Sequence, residues 1–371
     1  MIKKILFFLT VFCIMTVNVC ALSGSDISAE CAVVISAQTG EVIFEKNAYS
    51  HHSMASTTKI MTSLIAAESG RLNDEITVSK KMTQVEGTSM GLLPGDRVSL
   101  YELIYGMLLP SGNDAANATA CYLGGNVENF AKMMNSKANK IGMKNTHFVT
   151  PSGLDDEEHY STAYDMALLG RYAVNNPVIR SVCSKSKATL SYGNPPYRRT
   201  LYNHNRLLNS YEYALGIKTG FTKKSGRCLV SYAERNGVGL VAVTLNAPGD
   251  WSDHRQMLDY GFSVLNSRCV EADIPDSVSV VGGNVENLSI KCNSFEYFSL
   301  QNKTVTQELY LDRFVYAPIK KGDKIGEVRY YFDGEYIGSS YISADADAKV
   351  VEQKQKEKSF FRKIKERLFN D

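Results

Sequence analysis

The hydrophobic pattern near the start of the chain predicts a strand pair followed by a helix. Apolar residues dominate 31–36 and 41–45, and Gln38-Thr39-Gly40 between them is typical of a hairpin turn. In 57–68 the apolar positions change to helical spacing and stop before Gly70, a common residue after a helix end. These helical positions are Ile60, Met61, Leu64 and Ile65.

The next part of the chain favours helices. Ser99 and Glu102 form a capping box that opens a helix reaching Leu109, where Pro110 stops it. A second helix is expected from Asn113 or Asp114, through a run of alanines. We expect the chain from 99 to about 175 to be mostly helical.

A two-residue period then replaces the helical one. Strands are predicted at 214–218, 228–234 and 239–245, with Asn236-Gly237 as a hairpin turn, and a helix at about 252–265. Short strands continue from about 270 to 343 with turns at Gly282-Gly283 and Asp333-Gly334. The pattern predicts a sheet with helices packed on it, followed by a separate all-β domain.

Composition is that of an ordinary folded protein. The chain has 371 residues, 44% of them hydrophobic and 22% charged, which suggests about two domains. Its net charge of +2 gives no reason to expect binding to nucleic acid.

The first 21 residues are interpreted as a secretory signal peptide. Lys3 and Lys4 precede an apolar run over 5–19, and Val19-Cys20-Ala21 resembles a cleavage site. An uncleaved anchor is less favoured, since a spanning helix needs about 20 apolar residues. A lipoprotein attached through Cys20 is less favoured still. The protein is therefore expected to be exported.

The C-terminal tail, 346–371, is basic and amphipathic. From Lys349 onward it carries eight Lys or Arg against four Asp or Glu. Its apolar residues Phe360, Phe361, Ile364 and Leu368 recur at helical spacing. Such a helix can lie on an anionic membrane surface, so peripheral attachment to the outer face of the cytoplasmic membrane is expected. The alternative is a solvated terminal helix or a frayed tail.

Neither cysteines nor histidines indicate a metal centre. The six cysteines after residue 21 are widely scattered without a C-x-x-C pair, and most are expected to be small buried residues. The six histidines form no H-E-x-x-H or similar cluster. We expect no metal and no cofactor.

Candidate chemistry begins at Ser56-Thr57-Thr58-Lys59. Residues three apart share a helix face, so Lys59 can sit beside the Ser56 hydroxyl. A lysine with a lowered pKa can activate a serine nucleophile. The spacing alone is weak evidence, because Ser184-Lys185-Ser186-Lys187 also matches and is interpreted as an exposed basic loop.

Two further elements strengthen this interpretation. Ser111-Gly112-Asn113 follows the helix stopped by Pro110, where a tight turn can project its polar groups into a cleft. Lys218-Thr219-Gly220 lies at the expected end of a strand, where glycine allows close approach of a substrate backbone. Lys224-Ser225-Gly226 has a similar pattern but falls in a polar turn.

The order S-x-x-K, S-x-N and K-T-G resembles the signature of penicillin-binding proteins and serine β-lactamases. The flanking residues, Leu109 to Ala116 and Gly216 to Thr222 among them, resemble the low-molecular-mass D-alanyl-D-alanine carboxypeptidases, strongly over 28–265. The resemblance implies an α+β fold in which an antiparallel sheet is flanked by helices and carries a helical subdomain. A catalytic domain at 22–268, an all-β domain at 269–345 and the tail match the usual layout of that family.

Carried onto this sequence, the resemblance implies that Ser56 is the nucleophile and Lys59 its base, with Ser111 relaying protons. Asn113, Lys218, Thr219, Gly220, Phe221 and Thr222 are expected to bind substrate. The implied substrate is a peptidoglycan stem peptide ending in D-Ala-D-Ala, and β-lactams are the implied covalent inhibitors. Residues beyond the three motifs, including Arg227 and Arg255, have no assigned role.

Three alternatives share these motifs. A β-lactamase needs a deacylating base, and no E-x-x-L-N-like segment lies between Ser111 and Lys218, where Glu157 and Glu158 form an acidic loop. A D,D-endopeptidase that cuts cross-links would use the same residues in a differently shaped cleft. A penicillin-binding sensor or scaffold would acylate and stall.

Overall fold

The computed structural model describes residues 21–300 and 303–351. The signal segment before residue 21, residues 301–302 and the amphipathic part of the tail from 352 lie outside the described residues. The chain divides into two compact units after Asn266.

The first unit is built on a five-stranded antiparallel sheet in the order β2-β1-β9-β8-β7. Its central strands are apolar and buried on both faces, which requires cover on each side. The expected turn at Asn236-Gly237 joins β8 to β9, and both residues have positive φ. The strands are β1 (Cys31–Ser36), β2 (Val42–Lys46), β7 (Ala214–Thr222), β8 (Gly226–Arg235) and β9 (Val238–Leu245).

Nine helices belong to this unit within the described residues, and the sequence predicted the bounds of several to within about two positions. The Ser99–Glu102 capping box is present at the start of α3. The helices are α1 (Lys59–Glu68), α2 (Lys80–Thr83), α3 (Leu100–Leu108), α4 (Asn113–Gly124), α5 (Val127–Lys140), α6 (Ala163–Val174), α7 (Pro177–Cys183), α8 (Leu207–Ser210) and α9 (Asp250–Val264).

Two helices cover opposite faces of the sheet. A Cβ on Gly170 of α6 would meet the Val241 side chain at 2.9 Å, and one on Gly261 of α9 would meet Leu240 at 2.7 Å. Leu240 and Val241 are adjacent in β9, so their side chains point to opposite faces. The glycines let each helix backbone approach the sheet closely. The remaining space on the α6 side is filled by the helical cluster that contains α1, α3, α4 and α7.

The chain over 99–175 is mostly helical, as expected, and residues 141–162 between α5 and α6 form an irregular segment. Bridges between His147 and Tyr160 and between His52 and Ser161 hold it. Pro151 and the positive φ of Gly142 and Gly153 oppose a helix there.

Two small strand pairs lie outside the main sheet: β3 (Glu75–Thr77) with β4 (Arg97–Ser99), and β5 (Lys187–Gly193) with β6 (Pro196–Tyr202). The sequence did not predict the second hairpin. Arg199 of β6 forms an ion pair with Asp96 at 3.3 Å, and Tyr192 of β5 donates to the Met90 carbonyl at 2.9 Å.

The second unit is all β, as the sequence predicts. Six strands form a sheet in the order β14-β16-β17-β12-β11-β15, and β10 pairs with β13. The expected turn at Asp333-Gly334 joins β16 to β17, with positive φ at both residues. The strands are β10 (Asn266–Val270), β11 (Ser277–Val281), β12 (Asn287–Cys292), β13 (Phe295–Ser299), β14 (Val305–Leu311), β15 (Phe314–Tyr316), β16 (Lys324–Phe332) and β17 (Glu335–Ala344).

Across residues 21–300 and 303–351, no helix has the length and apolar character needed to cross a membrane. The same residues contain no group of three or more side chains placed to hold a metal ion. The six cysteines of this region are free thiols; Cys31, Cys183 and Cys228 are buried, but Cys269 is exposed, so burial is less general than expected.

Candidate active site

Ser56 and Lys59 lie at the start of α1. A single turn of 3-10 helix, Ala55–Thr58, leads into the helix. Ala55 has φ +47, in the left-handed region that non-glycine residues rarely adopt. Lys59 is fully buried, and its Nζ lies 2.8 Å from Ser56 Oγ. The expected pairing of the serine with the lysine is therefore present.

Lys59 is buried without a carboxylate partner among the described residues. Burial lowers the pKa of Lys59 well below its usual value, the nearby Lys218 lowers it further, and Asp114 opposes the shift. Its Nζ donates a hydrogen bond to the Ser152 carbonyl oxygen at 2.8 Å. The amine is therefore held beside Ser56 in a setting that favours its neutral form, the form able to accept a proton.

The Ser111-Gly112-Asn113 turn forms one wall. Ser111 has φ +65, and the Gly112 N–H donates to the Gly106 carbonyl at 2.8 Å, which closes the turn over the end of α3. Asn113 donates through Nδ2 to the Glu86 carbonyl at 2.6 Å. Its Oδ1 is buried and has no hydrogen-bond partner. A buried acceptor without a partner is costly, so it is suited to an N–H of a ligand.

Asp114 organises this wall, a role that the sequence analysis missed. Its carboxylate accepts hydrogen bonds from Ser89 Oγ at 2.6 Å and from the backbone N–H groups of Met90 at 2.9 Å and Leu92 at 3.0 Å. The preceding residue of the loop, Thr88, donates to the Ser111 carbonyl at 2.6 Å. The loop 86–92 and the turn are thus held together by one buried acid.

The opposite wall is β7, an edge strand of the main sheet. Lys218-Thr219-Gly220 lies inside this strand, which runs on to Thr222 instead of ending at the motif. A Cβ on Gly220 would lie 3.0 Å from the Ser56 backbone nitrogen, so a larger residue would press against the nucleophile. This contact explains why glycine stands at that position.

Lys218 is buried and does not line the cavity of the site. It is 1% exposed, and its Nζ donates to the Thr219 carbonyl at 2.8 Å. Burial lowers the pKa of Lys218 to about 7. At neutral pH this side chain is therefore only partly protonated, which suits proton transfer.

A cavity of about 390 Å³ joins these elements. Of the predicted site residues, it is lined by Ser56, Ser111, Asn113, Thr219, Gly220, Phe221 and Thr222, whereas Lys59 and Lys218 are buried. The other lining residues were not predicted from the sequence; they are Gly87, Thr88, Ser152, Gly153, Leu154, His204, Arg206, Arg227, Asp250 and Trp251. Most of these belong to connecting segments, which have no periodic signal.

Thr222 is engaged with protein groups. Its hydroxyl donates to Asp155 Oδ1 at 2.8 Å and lies 2.7 Å from Ser225 Oγ. Ser225, in the second K-S-G pattern, is buried and supports the turn after β7. In the second S-x-x-K pattern, Ser184 donates to the Ser181 carbonyl at 3.3 Å, and Lys187 is exposed in β5. Neither repeated pattern contributes to the cavity lining.

His159 positions the irregular segment beside the nucleophile. Its Nδ1 accepts a hydrogen bond from the Val149 N–H at 2.9 Å, which leaves Nε2–H to donate to Thr58 Oγ1, also at 2.9 Å. Burial lowers the pKa of His159 to about 4, so the ring is neutral at neutral pH. Thr62 adds a second link by donating to the Pro151 carbonyl at 2.6 Å.

Comparison with known proteins shows the family of the chain. Residues 18–249 match the family described as D-alanyl-D-alanine carboxypeptidase, peptidase family S11, and residues 271–356 match the C-terminal domain of penicillin-binding protein 5. The D-alanyl-D-alanine carboxypeptidase DacF of Bacillus subtilis is 31% identical over 86% of this chain and 86% of its own.

Solved structures show the same relationship. Penicillin-binding protein 5 from Haemophilus influenzae superimposes with a TM-score of 0.64 at 27% identity, covering 89% of this chain and all of that chain. The Streptomyces K15 DD-transpeptidase gives 0.62 at 31% identity, covering 64% of this chain and 98% of its own. With its serine and lysine in contact and its three motifs around one cavity, the chain belongs to the D-alanyl-D-alanine carboxypeptidase family, peptidase family S11.

Proposed function

We propose that the chain is a serine D-alanyl-D-alanine carboxypeptidase, a hydrolase that removes the terminal D-alanine from peptidoglycan stem peptides through an acyl-enzyme. The main support for this proposal is the 2.8 Å contact between Lys59 Nζ and Ser56 Oγ. Ser56 lines a cavity that is also lined by Ser111, Asn113 and Thr219. A buried lysine with a lowered pKa beside an accessible serine is the arrangement that nucleophilic catalysis needs.

In acylation, Lys59 takes the hydroxyl proton as Ser56 Oγ bonds to the carbonyl carbon between the two D-alanines. The carbon–nitrogen bond then breaks, and the leaving amine must gain a proton. Ser111 and Lys218 relay it, a role that the pKa of about 7 at Lys218 supports. Free D-alanine leaves, and the acyl group remains on Ser56.

In deacylation, a water molecule replaces the leaving group and attacks the ester carbon. Lys59 accepts the proton of this water, the bond from the carbon to Ser56 Oγ breaks, and the serine recovers its proton. Both half-reactions thus use the same base.

Substrate contacts follow from the two walls. Asn113 Oδ1, which lacks a partner, accepts from a substrate amide N–H. Thr219 faces the terminal carboxylate, whereas the Thr222 hydroxyl is already bound to Asp155. The Gly220 backbone lets the peptide lie along the free edge of β7. The backbone N–H groups of Ser56 and Phe221 form the oxyanion hole, where loss of one donor typically costs about 3 to 4 kcal/mol.

The same nucleophile makes β-lactams covalent inhibitors, because attack on the lactam carbonyl leaves an ester on Ser56. We also propose that residues 1–21 direct export and that the tail attaches the protein to the outer face of the cytoplasmic membrane. The composition of the two segments supports this.

The direct test is release of free D-alanine from a diacetylated tripeptide ending in D-Ala-D-Ala, using chain from residue 22 onward. We expect release by the parent and none by Ser56→Ala. Stable labelling of Ser56 by penicillin without any release of D-alanine would contradict the carboxypeptidase assignment and favour an endopeptidase or a sensor.

A further inference from the structure

One face of the six-stranded sheet in the second unit carries a group of tyrosines. The strand register places Tyr310 of β14 and Tyr341 of β17 on either side of Glu327 of β16, so these three side chains share one face. Four positions further along β16, Tyr331 lies on the same face and is paired with Tyr336 of β17. We call these four residues the tyrosine face: Tyr310, Tyr331, Tyr336 and Tyr341.

The tyrosine face is the outer face of the sheet. Along β16 the alternate residues from Val328 to Phe332 are buried in the core of the unit, so those from Glu327 to Tyr331 point outward. Tyr310 is 45% exposed and Tyr341 is 61% exposed. At about 4.8 Å between strands and about 3.3 Å per residue, the four positions span an area about 10 Å wide and 13 Å long. A group of exposed aromatic rings on one face indicates a binding surface.

The rings are held in place by polar neighbours. Glu308 accepts hydrogen bonds from the hydroxyl groups of Tyr310 at 2.9 Å and Tyr331 at 2.8 Å. The Arg329 Cζ lies 4.2 Å from the centroid of the Tyr310 ring, and the ring of Tyr336 meets that of Tyr331 edge to face at 5.8 Å. Since the rings are ordered before a ligand arrives, little conformational entropy is lost on binding.

The charges between the rings are balanced. Arg329 Nε lies 2.7 Å from Glu327 Oε1, and Lys324 Nζ lies 3.5 Å from Glu327 Oε2. In the described part of the sheet, the charged groups beside the four rings are thus two bases and two acids, Glu308 being the second acid. An anionic membrane or a nucleic acid requires a positively charged surface, so neither complements this face.

The composition of the tyrosine face also differs from that of a protein interface. The core of a protein interface is apolar and depleted of lysine and glutamate, whereas Glu308, Glu327 and Lys324 lie among these rings. A sugar presents C–H groups of partial positive charge, which the negative face of an aromatic ring attracts. It also presents hydroxyl groups, which carboxylate and guanidinium groups bind. An uncharged polysaccharide therefore complements both components of the face.

We propose that the tyrosine face binds an extended, uncharged polysaccharide, with sugar rings stacked on Tyr310 and Tyr341 and sugar hydroxyl groups bonded to Glu308 and Arg329. This activity goes beyond the proposed function, because it uses no residue of the active site. The identification of the polysaccharide as the glycan strand of peptidoglycan rests on that proposed function. Binding of this strand keeps the enzyme on the polymer that carries its stem peptides.

The test measures binding by the Ser56→Ala chain from residue 22 onward, which lacks the nucleophile. One probe is chitohexaose, an uncharged β-linked oligomer of N-acetylglucosamine, measured by calorimetry. The other is insoluble peptidoglycan, measured by sedimentation. Tyr310→Ala, Tyr341→Ala, the double variant and Tyr341→Phe are compared. Tyr316→Ala is the matched control, because Tyr316 is 68% exposed but lies in β15, at the opposite edge of the same sheet.

We expect each alanine substitution on the tyrosine face to weaken chitohexaose binding about 3- to 10-fold, and the double variant about 10- to 100-fold. Tyr341→Phe keeps the ring and should bind like the Ser56→Ala chain, as should Tyr316→Ala. The proposal is overturned by absence of chitohexaose binding in the Ser56→Ala chain, by undiminished binding in the double variant, or by an equal loss in Tyr316→Ala.

A second measurement separates this proposal from the carboxypeptidase assignment. In chains that keep Ser56, the same substitutions should leave D-alanine release from the diacetylated tripeptide unchanged, because that substrate contains no sugar. Chitohexaose binding that depends on Tyr310 and Tyr341, in a chain that releases no D-alanine, would support the polysaccharide site and contradict the proposed function. Binding of peptidoglycan without chitohexaose would refute the polysaccharide site, even if the chain is an active carboxypeptidase. Binding of chitohexaose without peptidoglycan would refute the glycan strand as the ligand.

Discussion

Lys59 and Ser152 are joined by a hydrogen bond of 2.8 Å from the lysine Nζ to the backbone carbonyl, although 93 positions separate them along the chain. The same Nζ lies 2.8 Å from Ser56 Oγ. A carbonyl oxygen can only accept, so the amine that it orients keeps its lone pair available when it is neutral. The irregular segment 141–162 therefore helps to position the base.

The first prediction concerns the nucleophile. Ser56→Ala should abolish covalent labelling by a fluorescent penicillin, because no other hydroxyl is held beside Lys59 Nζ in the described residues. Labelling is read on a denaturing gel. Ser184→Ala, in the second S-x-x-K pattern, is the control and should label like the parent. Labelling that persists without Ser56 would remove it as the nucleophile.

The second prediction concerns Gly153, which has φ +83. A Cβ at this position would lie 1.8 Å from the Ala55 carbonyl oxygen, immediately before the nucleophile. Gly153→Ala should therefore both lower the free energy of unfolding and slow acylation of Ser56 by penicillin.

Gly142 supplies the matched control. It has φ +85 in the same segment, but a Cβ there meets no atom within 4 Å. Gly142→Ala should lower the free energy of unfolding by only the left-handed strain, about 1 to 2 kcal/mol, with acylation unchanged. If the two substitutions change the free energy of unfolding and the rate of acylation equally, backbone strain alone accounts for the effect of Gly153→Ala, and the contact with Ala55 does not.

The third prediction is a pH dependence of stability. The pKa of His159 is about 4 in the folded protein and about 6.5 in the unfolded chain, so the unfolded state binds more protons between these values. The parent should be most stable above pH 6.5 and should lose about 3 kcal/mol through this histidine as pH falls to 4.

The check is chemical denaturation from pH 7 to 4. His159→Gln cannot titrate, so its deficit in unfolding free energy relative to the parent should shrink as pH falls. A curve for His159→Gln parallel to that of the parent would contradict the prediction.

The fourth prediction concerns the tail. Deletion of 352–371 should release the protein from anionic vesicles in a sedimentation assay. The deletion removes most of the basic residues of the tail and all four of its apolar residues at helical spacing, Phe360, Phe361, Ile364 and Leu368. D-alanine release in solution should not change. The deletion leaves Val350, which bridges to Gly283, and Val351, whose N–H donates to the Gly282 carbonyl at 3.0 Å. Equal vesicle binding by both proteins would refute the anchor.

Much of the molecule follows from local sequence. The strands in 31–46 and 226–245, the Ser99–Glu102 capping box and the Asn236-Gly237 turn each depend on neighbouring residues, and the structure has all of them. The pairing of Ser56 with Lys59 is local in the same way, since both lie in one turn at the start of a helix.

Tertiary structure decided what local patterns cannot encode. The buried setting that lowers the pKa of Lys59 depends on Lys218 and on the segment around Ser152, both distant in sequence. The irregular segment 141–162 was not predicted, and it is held by side chains of other elements: Thr62 binds its backbone at Pro151, and Thr58 binds the His159 side chain. Arg227 looks like any strand residue until the fold places Asp250 and the cavity beside it. Periodicity reports which face of an element is buried, whereas the partner across that face depends on how the whole chain packs.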